Sequence, residues 1–129
     1  MSDTPKGELT IRTLAMPADA NPSGDIFGGW VMSQMDLAAA IRAGERAGMR
    51  VVTVAVDGMS FIQPVHIGDV LCVYTDIVGI GRTSMTIEVE AYARRERFGQ
   101  RVQVTWAHFK LVALGADGRP TAVPPLADG

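Results

Sequence analysis

An aspartate inside an apolar segment is the first residue of this sequence that could carry chemistry. Asp36 lies among Ala, Met and Leu residues, and Met32, Ala39 and Ala40 share its side of a helix at helical spacing. Burying a carboxylate without partners is costly, so a compensating interaction or a function is expected. Perturbed acids concentrate at functional sites, although a structural acid paired with a distant arginine fits the position equally well. Asp36 is therefore a candidate catalytic group.

A long loop leads into this helical segment. It runs from Met16 to Gly29, is rich in Pro, Asp, Asn and Gly, and includes Asn21. Its last two residues, Gly28 and Gly29, would leave backbone N–H groups unblocked at the positive end of the helix dipole, where they could polarise a carbonyl oxygen. The glycines could also merely permit a sharp entry turn, and their spacing matches neither a dinucleotide nor a Walker motif.

The spacing of these candidates predicts a shared site. Gly28 and Asp36 are eight residues apart, which is ~12 Å along a helix axis. Groups that act on one carbonyl carbon must converge within a few ångströms. Two antiparallel helices from two subunits would bring the start of one beside the middle of the other. If both groups act on one substrate, a homodimer with shared sites is expected.

A glycine, a guanidinium and two hydroxyls meet at another predicted turn, Gly81-Arg82-Thr83-Ser84. This combination suits a phosphate, but an ordinary hairpin turn explains it as well. His66 and His108 lack sequence neighbours that would complete a triad or a metal site. Cys72 is interpreted as a packing residue.

Periodicity predicts one helix and five strands around these groups. Helical character runs from Trp30 to about Ala47, and its first half is apolar nearly all round, as in a helix enclosed on most sides. The segment 51–57 is almost continuously apolar, as in a central strand. The other strands are predicted at 8–14, from 70 to about 78, from about 84 and at 101–114.

Short connections make neighbouring strands antiparallel, and a lone apolar helix must be covered by the only sheet available. The predicted fold is therefore α+β: a curved antiparallel sheet wrapped around one long central helix, which is the hotdog architecture. Residues 1–129 are expected to form one domain, with residues 1–7 and about 121–129 as flexible tails.

Composition limits the function classes. The chain has 129 residues, 47% of them hydrophobic and 20% charged, with a formal charge of -2. One globular domain is expected, with no nucleic-acid partner. A single cysteine excludes an internal disulfide and any multi-cysteine metal site. The sequence shows neither a secretory start nor an apolar run of ~18 residues. The expectation is a cytoplasmic protein without membrane insertion.

The segment from Asn21 to Asp36, Asn-Pro-Ser-Gly-Asp-Ile-Phe-Gly-Gly-Trp-Val-Met-Ser-Gln-Met-Asp, resembles the signature of the hotdog acyl-CoA thioesterases. It is most similar to the short bacterial acyl-CoA hydrolases related to the cytosolic and brain acyl-CoA hydrolases. The resemblance continues through Val51–Phe61, Pro64-Val65 and Gly81–Ser84, and covers about residues 9–125.

This resemblance implies hydrolysis of a fatty acyl-CoA to a free fatty acid and coenzyme A. Asp36 and Asn21, contributed by different subunits, would carry catalysis, and the amides of Gly28 and Gly29 would polarise the thioester carbonyl. Thr53 is a weaker candidate for hydrogen-bonding Asp36. Coenzyme A phosphates would lie near Gly81, Arg82, Thr83 and Ser84. Homodimers that assemble further, into hexamers as trimers of dimers, are expected, with no metal and no cofactor apart from the substrate's coenzyme A.

Some points stay open at the level of sequence. Pro22-Ser23 and Phe27 depart from the pattern of close relatives, which leaves chain-length preference undetermined. Asp36 could act as a general base on water or as a nucleophile that forms a mixed anhydride. A non-catalytic acyl-CoA sensor is one alternative. A hotdog hydratase or dehydratase is another, but that chemistry ordinarily uses a histidine paired with an acid, and none lies near the helix.

Overall fold

The computed structural model describes residues 4–95 and 99–126. In that part of the chain, one helix packs against a five-stranded antiparallel sheet of order β1-β3-β4-β5-β2. The helix contacts all five strands, which confirms the predicted hotdog arrangement. The elements are β1 (Glu8–Leu14), a short 3-10 turn (Pro17–Asp19), α1 (Gly28–Ala47), β2 (Val51–Asp57), β3 (Val70–Ile80), β4 (Ser84–Arg94) and β5 (Arg101–Ala113).

Helix α1 begins at Gly28, two residues before the predicted start, and places small residues against the sheet. Ala38, Ala39 and Ala43 are fully buried, and their short side chains allow the helix to approach the strands closely. The helix ends at Ala47 and is capped by Gly48, whose φ of 65° is the left-handed conformation that favours glycine at a helix C-terminus. No helix in the described residues is long and apolar enough to cross a membrane.

The sheet has an apolar side that faces α1 and a polar side that faces away. Alternate residues of β4 and β5, including Ile87 and Phe109, are buried in the core beneath the helix. On the other side, His108 Nε2 lies 3.0 Å from Glu88 Oε2. Glu90 on that side is also buried, where it accepts a hydrogen bond from the backbone N–H of Lys6 at 2.8 Å. The alternation predicted for β4 is therefore confirmed, with Glu90 less exposed than its position suggested.

Strand β2 is not the central strand that its apolar run indicated. It lies at the edge of the sheet and pairs only with β5. Val52, Val54 and Val56 are exposed. A continuously apolar strand is typical of burial on both faces. Strand β2 has such a sequence, but in the single chain it is an exposed edge strand.

Helix α1 is likewise less enclosed than predicted. Part of the helix packs on the sheet, while Met32, Leu37 and Ile41 are exposed. Met32 and Val56 of β2 line the same groove, so the two uncovered apolar surfaces meet. Contiguous exposed apolar surface of this kind marks an interaction site.

The chain ends make specific contacts where they are described. The backbone N–H of Val123 donates to the Arg82 carbonyl at 2.8 Å, and Arg46 Nη1 donates to the Pro124 carbonyl at 2.7 Å. Residues 1–3 and 127–129 of the predicted tails, and residues 96–98 of the charged turn before β5, lie outside the described residues.

Candidate active site

Asp36 and Thr53 are joined by a hydrogen bond. The Thr53 hydroxyl, on the side of β2 that faces the helix, donates to Asp36 Oδ1 at 2.5 Å. Asp36 Oδ2 has no hydrogen-bond partner among the described residues. The threonine thus orients the carboxylate through one oxygen and leaves the other available for chemistry.

Both residues line a groove of about 330 Å³ between α1 and the edge strand. Asp36 is the one ionisable residue in its lining, and it is exposed in the single chain rather than enclosed as its apolar surroundings suggested. We call this space the edge groove; it is lined by Gly29, Met32, Ser33, Asp36, Thr53, Val56 and Phe109.

The start of α1 offers two free backbone donors. The N–H of Trp30 donates to the Phe27 carbonyl at 3.1 Å, whereas the N–H groups of Gly28 and Gly29 have no acceptor among the described residues. A side chain at Gly28 would meet the Phe61 ring, because a Cβ there would lie 3.3 Å from Phe61 Cζ. Glycine at this position therefore permits close packing and leaves the amide accessible.

Gly28 lines a second cavity, of about 280 Å³, on the other side of the helix start. We call it the helix-start cavity; its walls come from the loop before α1, α1 itself, the segment between β2 and β3, and β5: Ile26, Gly28, Val31, Phe61, Ile62, Gln63, Pro64, Val65 and Val104. Gly29 belongs to the edge groove and Gly28 to this cavity, so the two adjacent amides lie at the boundary between the two spaces.

Asn21 organises the loop that precedes the helix. Its Oδ1 accepts hydrogen bonds from the N–H groups of Ser23 at 2.9 Å and Asp25 at 3.1 Å. Its Nδ2 has no partner among the described residues. Asn21 lines neither the edge groove nor the helix-start cavity, so the single chain does not bring it to Asp36.

The turn at Gly81–Ser84 is a tight hairpin at one end of the sheet. The Gly81 N–H donates to the Ser84 carbonyl at 2.8 Å, and the Arg82 side chain is exposed. Ser84 pairs with Val112, which in turn pairs with Val52 beside Thr53. The turn therefore lies two strand spacings from β2, or ~10 Å, at the end of the sheet that holds the Asp36–Thr53 pair.

Comparison with known proteins decides the family. The model of the thioesterase superfamily matches residues 23–99. The chain is 53% identical to the acyl-CoA thioester hydrolase YciA of Salmonella typhimurium over 127 residues, which cover 96% of each chain. The chain belongs to the thioesterase superfamily.

Solved structures of other thioesterases share the fold. A hexameric thioesterase, y2039 from Yersinia pestis, superposes with a TM-score of 0.89 at 51% identity, covering 95% of this chain and 99% of that one. A hexameric hotdog fold thioesterase of Campylobacter jejuni, Cj0915, gives a TM-score of 0.85 at 42% identity, covering 92% and 91%. The superfamily's hotdog fold is thus the fold of this chain.

Two features of this thioesterase fold were not found from the sequence. Phe61 is 47% exposed and lines the helix-start cavity. Asp69 is only 4% exposed; it accepts hydrogen bonds from the His66 N–H at 2.8 Å and from Arg95, which also donates to the Pro64 carbonyl at 2.9 Å. Arg95 is 26 residues from Asp69 in sequence, and periodicity gives no signal for this contact.

The polar side of the sheet holds the one clear pKa shift in the described residues. Burial, the neighbouring Glu90 charge and the hydrogen bond from the Tyr92 hydroxyl to Glu90 Oε2 at 3.2 Å raise the pKa of Tyr92 to about 12. Tyr92 lies on the side of the sheet away from Asp36. No three His, Cys, Asp or Glu side chains within residues 4–95 and 99–126 are grouped as a metal site would require.

Proposed function

We propose that this chain hydrolyses acyl-CoA thioesters to free fatty acids and coenzyme A. The observation that carries the proposal is the Asp36 carboxylate, held by Thr53 at 2.5 Å in an apolar groove. The chain belongs to the thioesterase superfamily, and a relative at 53% identity is an acyl-CoA thioester hydrolase. An apolar groove with one oriented carboxylate suits a substrate that combines a hydrocarbon with an electrophilic carbonyl.

In the proposed reaction, Asp36 acts through its free Oδ2. As a general base it takes a proton from water, whose oxygen forms the new bond to the thioester carbon. The C–S bond then breaks, and the proton passes to the coenzyme A thiolate. As a nucleophile, Oδ2 forms that bond itself, and water later opens the mixed anhydride. Both routes need the same oriented carboxylate.

The backbone amides of Gly28 and Gly29 are proposed to stabilise the carbonyl oxygen as negative charge develops on it. They lack protein acceptors among the described residues and lie at the positive end of the α1 dipole. Asn21, in the loop before the helix, has an Nδ2 without a partner among the described residues, and this amide is proposed to help hold the attacking water.

The turn Gly81–Ser84 is proposed to contact the phosphates of coenzyme A. Arg82 supplies an exposed cation, and Thr83 and Ser84 supply hydroxyls. Its position ~10 Å from the Asp36–Thr53 pair, across two strand spacings, is within reach of an extended coenzyme A arm.

The working unit is proposed to be a homodimer with shared active sites. The unpaired β2 edge and the part of α1 that carries Met32 and Asp36 form one surface around the edge groove. A second copy would extend the sheet and place the start of its helix beside Asp36. This arrangement brings Asn21 and Gly28 of one subunit to Asp36 of the other, which one chain alone does not do.

Further assembly of dimers into a hexamer is proposed by analogy with the hexameric Yersinia pestis and Campylobacter jejuni thioesterases. We also assign the enzyme to the cytoplasm. The one cysteine, Cys72, is free and buried in β3, in keeping with a reducing compartment.

Thiol release from acyl-CoA esters of increasing chain length tests the activity. The proposal expects turnover that saturates with substrate and releases coenzyme A and fatty acid in equal amounts. Tight binding of acyl-CoA without thiol release from any ester would contradict it and favour a sensor.

Mixing two inactive variants tests the sharing of sites. Asp36→Asn and Asn21→Ala are each expected to be nearly inactive. Co-refolded in equal amounts, they should recover about a quarter of wild-type activity, since half of the dimers are mixed and one of their two sites is intact. Absence of recovery, with mixed dimers demonstrated by two different affinity tags, would show that each site belongs to one subunit.

A further inference from the structure

We infer that the helix-start cavity receives the acyl chain of the substrate and that Phe61 sets the chain length it accepts. This inference rests on the proposed thioester hydrolysis and adds to it the location and size of the acyl site. The cavity, of about 280 Å³, is formed within one chain and lies beside the free amides of α1.

The lining of the cavity suits a hydrocarbon. Ile26, Val31, Val65 and Val104 form buried apolar walls, and Gln63 is the one lining residue with a polar side chain. An alkyl chain needs no hydrogen bonds, so such walls bind it through the hydrophobic effect alone. The edge groove, in contrast, contains Asp36, Thr53 and Ser33 and suits the reacting group rather than the chain.

The position of Gly28 fixes the direction in which the chain would run. Gly28 lines the helix-start cavity, Gly29 lines the edge groove, and both amides are free. A thioester oxygen bound by these amides lies at the boundary between the two spaces. In the proposed dimer, the carbonyl carbon then faces Asp36 of the second subunit, and the acyl carbons enter the cavity beside the amides.

The volume limits the length of the chain. A methylene group is about as large as a water molecule, which takes ~30 Å³ of liquid, so the 280 Å³ cavity holds on the order of nine such groups. In chains up to this length, each added methylene strengthens binding. The remaining carbons of longer chains stay outside the cavity.

Phe61 is the lining residue whose replacement would change the accepted chain length with the least loss of stability. Its ring lies against Gly28, where a Cβ would come within 3.3 Å of it, and the side chain is 47% exposed. Val104 forms the opposite wall; it is fully buried, and its carbonyl accepts a hydrogen bond from the Ile62 N–H at 2.7 Å. Truncating Phe61 therefore enlarges the cavity without removing a core side chain.

The test compares kcat/KM across saturated acyl-CoA esters for wild type, Phe61→Ala, Ile62→Trp and the control Ile67→Ala. Ile67 lies in the same connecting segment, is exposed to a similar degree and lines neither cavity. Wild-type kcat/KM should rise about fourfold per added methylene, the ratio given by methylene transfer from water, and level off near nine or ten carbons.

Phe61→Ala should move this plateau to longer chains and raise the ratio of kcat/KM for fourteen-carbon over eight-carbon esters by about tenfold. Ile62→Trp, which fills the cavity, should move the plateau to shorter chains, and Ile67→Ala should leave it unchanged. Identical plateaus in all four proteins would overturn the acyl-site assignment while leaving thioester hydrolysis intact. Wild-type protein that releases no thiol from any ester would instead refute the proposed function.

Discussion

The hydroxyl of Thr53 donates to Oδ1 of Asp36 at 2.5 Å, and this bond connects the middle of the helix to the edge strand of the sheet. Asp36 and Thr53 are separated by 17 residues, so the pairing depends on the chain returning along the side of the helix. Because β2 is the edge strand, the pair lies beside the unpaired edge of the sheet.

Replacing Thr53 by Val should lower kcat roughly tenfold, because a hydrogen bond to a charged group contributes about 1.5 kcal/mol or more. Thr53→Ser keeps a hydroxyl and should restore most of the activity. Thr86→Val, on the opposite side of the sheet, serves as the matched control. Steady-state kinetics of the three variants check the prediction, and equal activity of Thr53→Val and wild type would rule out a positioning role.

Replacing Val54 by Lys should convert the dimer to monomers and abolish turnover, since a charge on an edge strand opposes strand pairing. Val54 is 54% exposed on β2, and Val78, 49% exposed on β3, has the matched environment of a strand bulge. Sedimentation velocity should therefore show monomers for Val54→Lys and at least dimers for Val78→Lys. A dimer that persists in Val54→Lys would mean that another surface forms it.

Replacing Arg95 by Ala should lower the free energy of unfolding by about 1–3 kcal/mol, because it leaves the buried Asp69 carboxylate without its cation. The lower end is favoured because the Arg95 side chain is 26% exposed. Arg94→Ala is the control, since the Arg94 side chain makes no hydrogen bond or ion pair with the described residues. Urea unfolding measures both, and equal effects would show that the cluster adds nothing specific.

Replacing Tyr92 by Phe should flatten the loss of stability at alkaline pH. Burial, aided by Glu90, raises the pKa of Tyr92 to about 12 in the folded chain, above its value of ~10 when unfolded. Folding therefore favours the protonated form, and this contribution is fully present below pH ~10 and is lost as the pH rises towards ~12. Urea unfolding at several pH values from 9 to 11 checks the slope. A slope shared by both proteins would show that folding does not change the pKa of Tyr92.

The strand pattern of this fold is readable from sequence because turn residues and alternation are local signals. Strands β1 and β2 have the predicted boundaries, and β4 shows the predicted alternation of Met85, Ile87 and Val89 with polar neighbours. The order of the strands in the sheet, in contrast, is not determined by local signals. The apolar run of β2 predicted a strand covered on both faces and therefore a central one, but β2 lies at the edge of the sheet.

The candidate site was likewise predicted only in part from the sequence. Spacing and residue type singled out Asp36, Asn21 and the two glycines, and the fold brings Thr53 to Asp36. The exposure of Phe61 and the cluster around Asp69 depend on tertiary contacts across 26 or more residues, for which periodicity carries no information.

The central claim is that the Asp36 carboxylate performs the hydrolysis. Replacement by Asn preserves shape and removes the basic oxygen, so thiol release from acyl-CoA should fall by about 100-fold or more, a loss typical of removing a general base. Its far-ultraviolet circular dichroism and its affinity for acyl-CoA should match those of wild type. Turnover by Asp36→Asn at the wild-type rate would contradict the account and require another residue at the centre of the reaction.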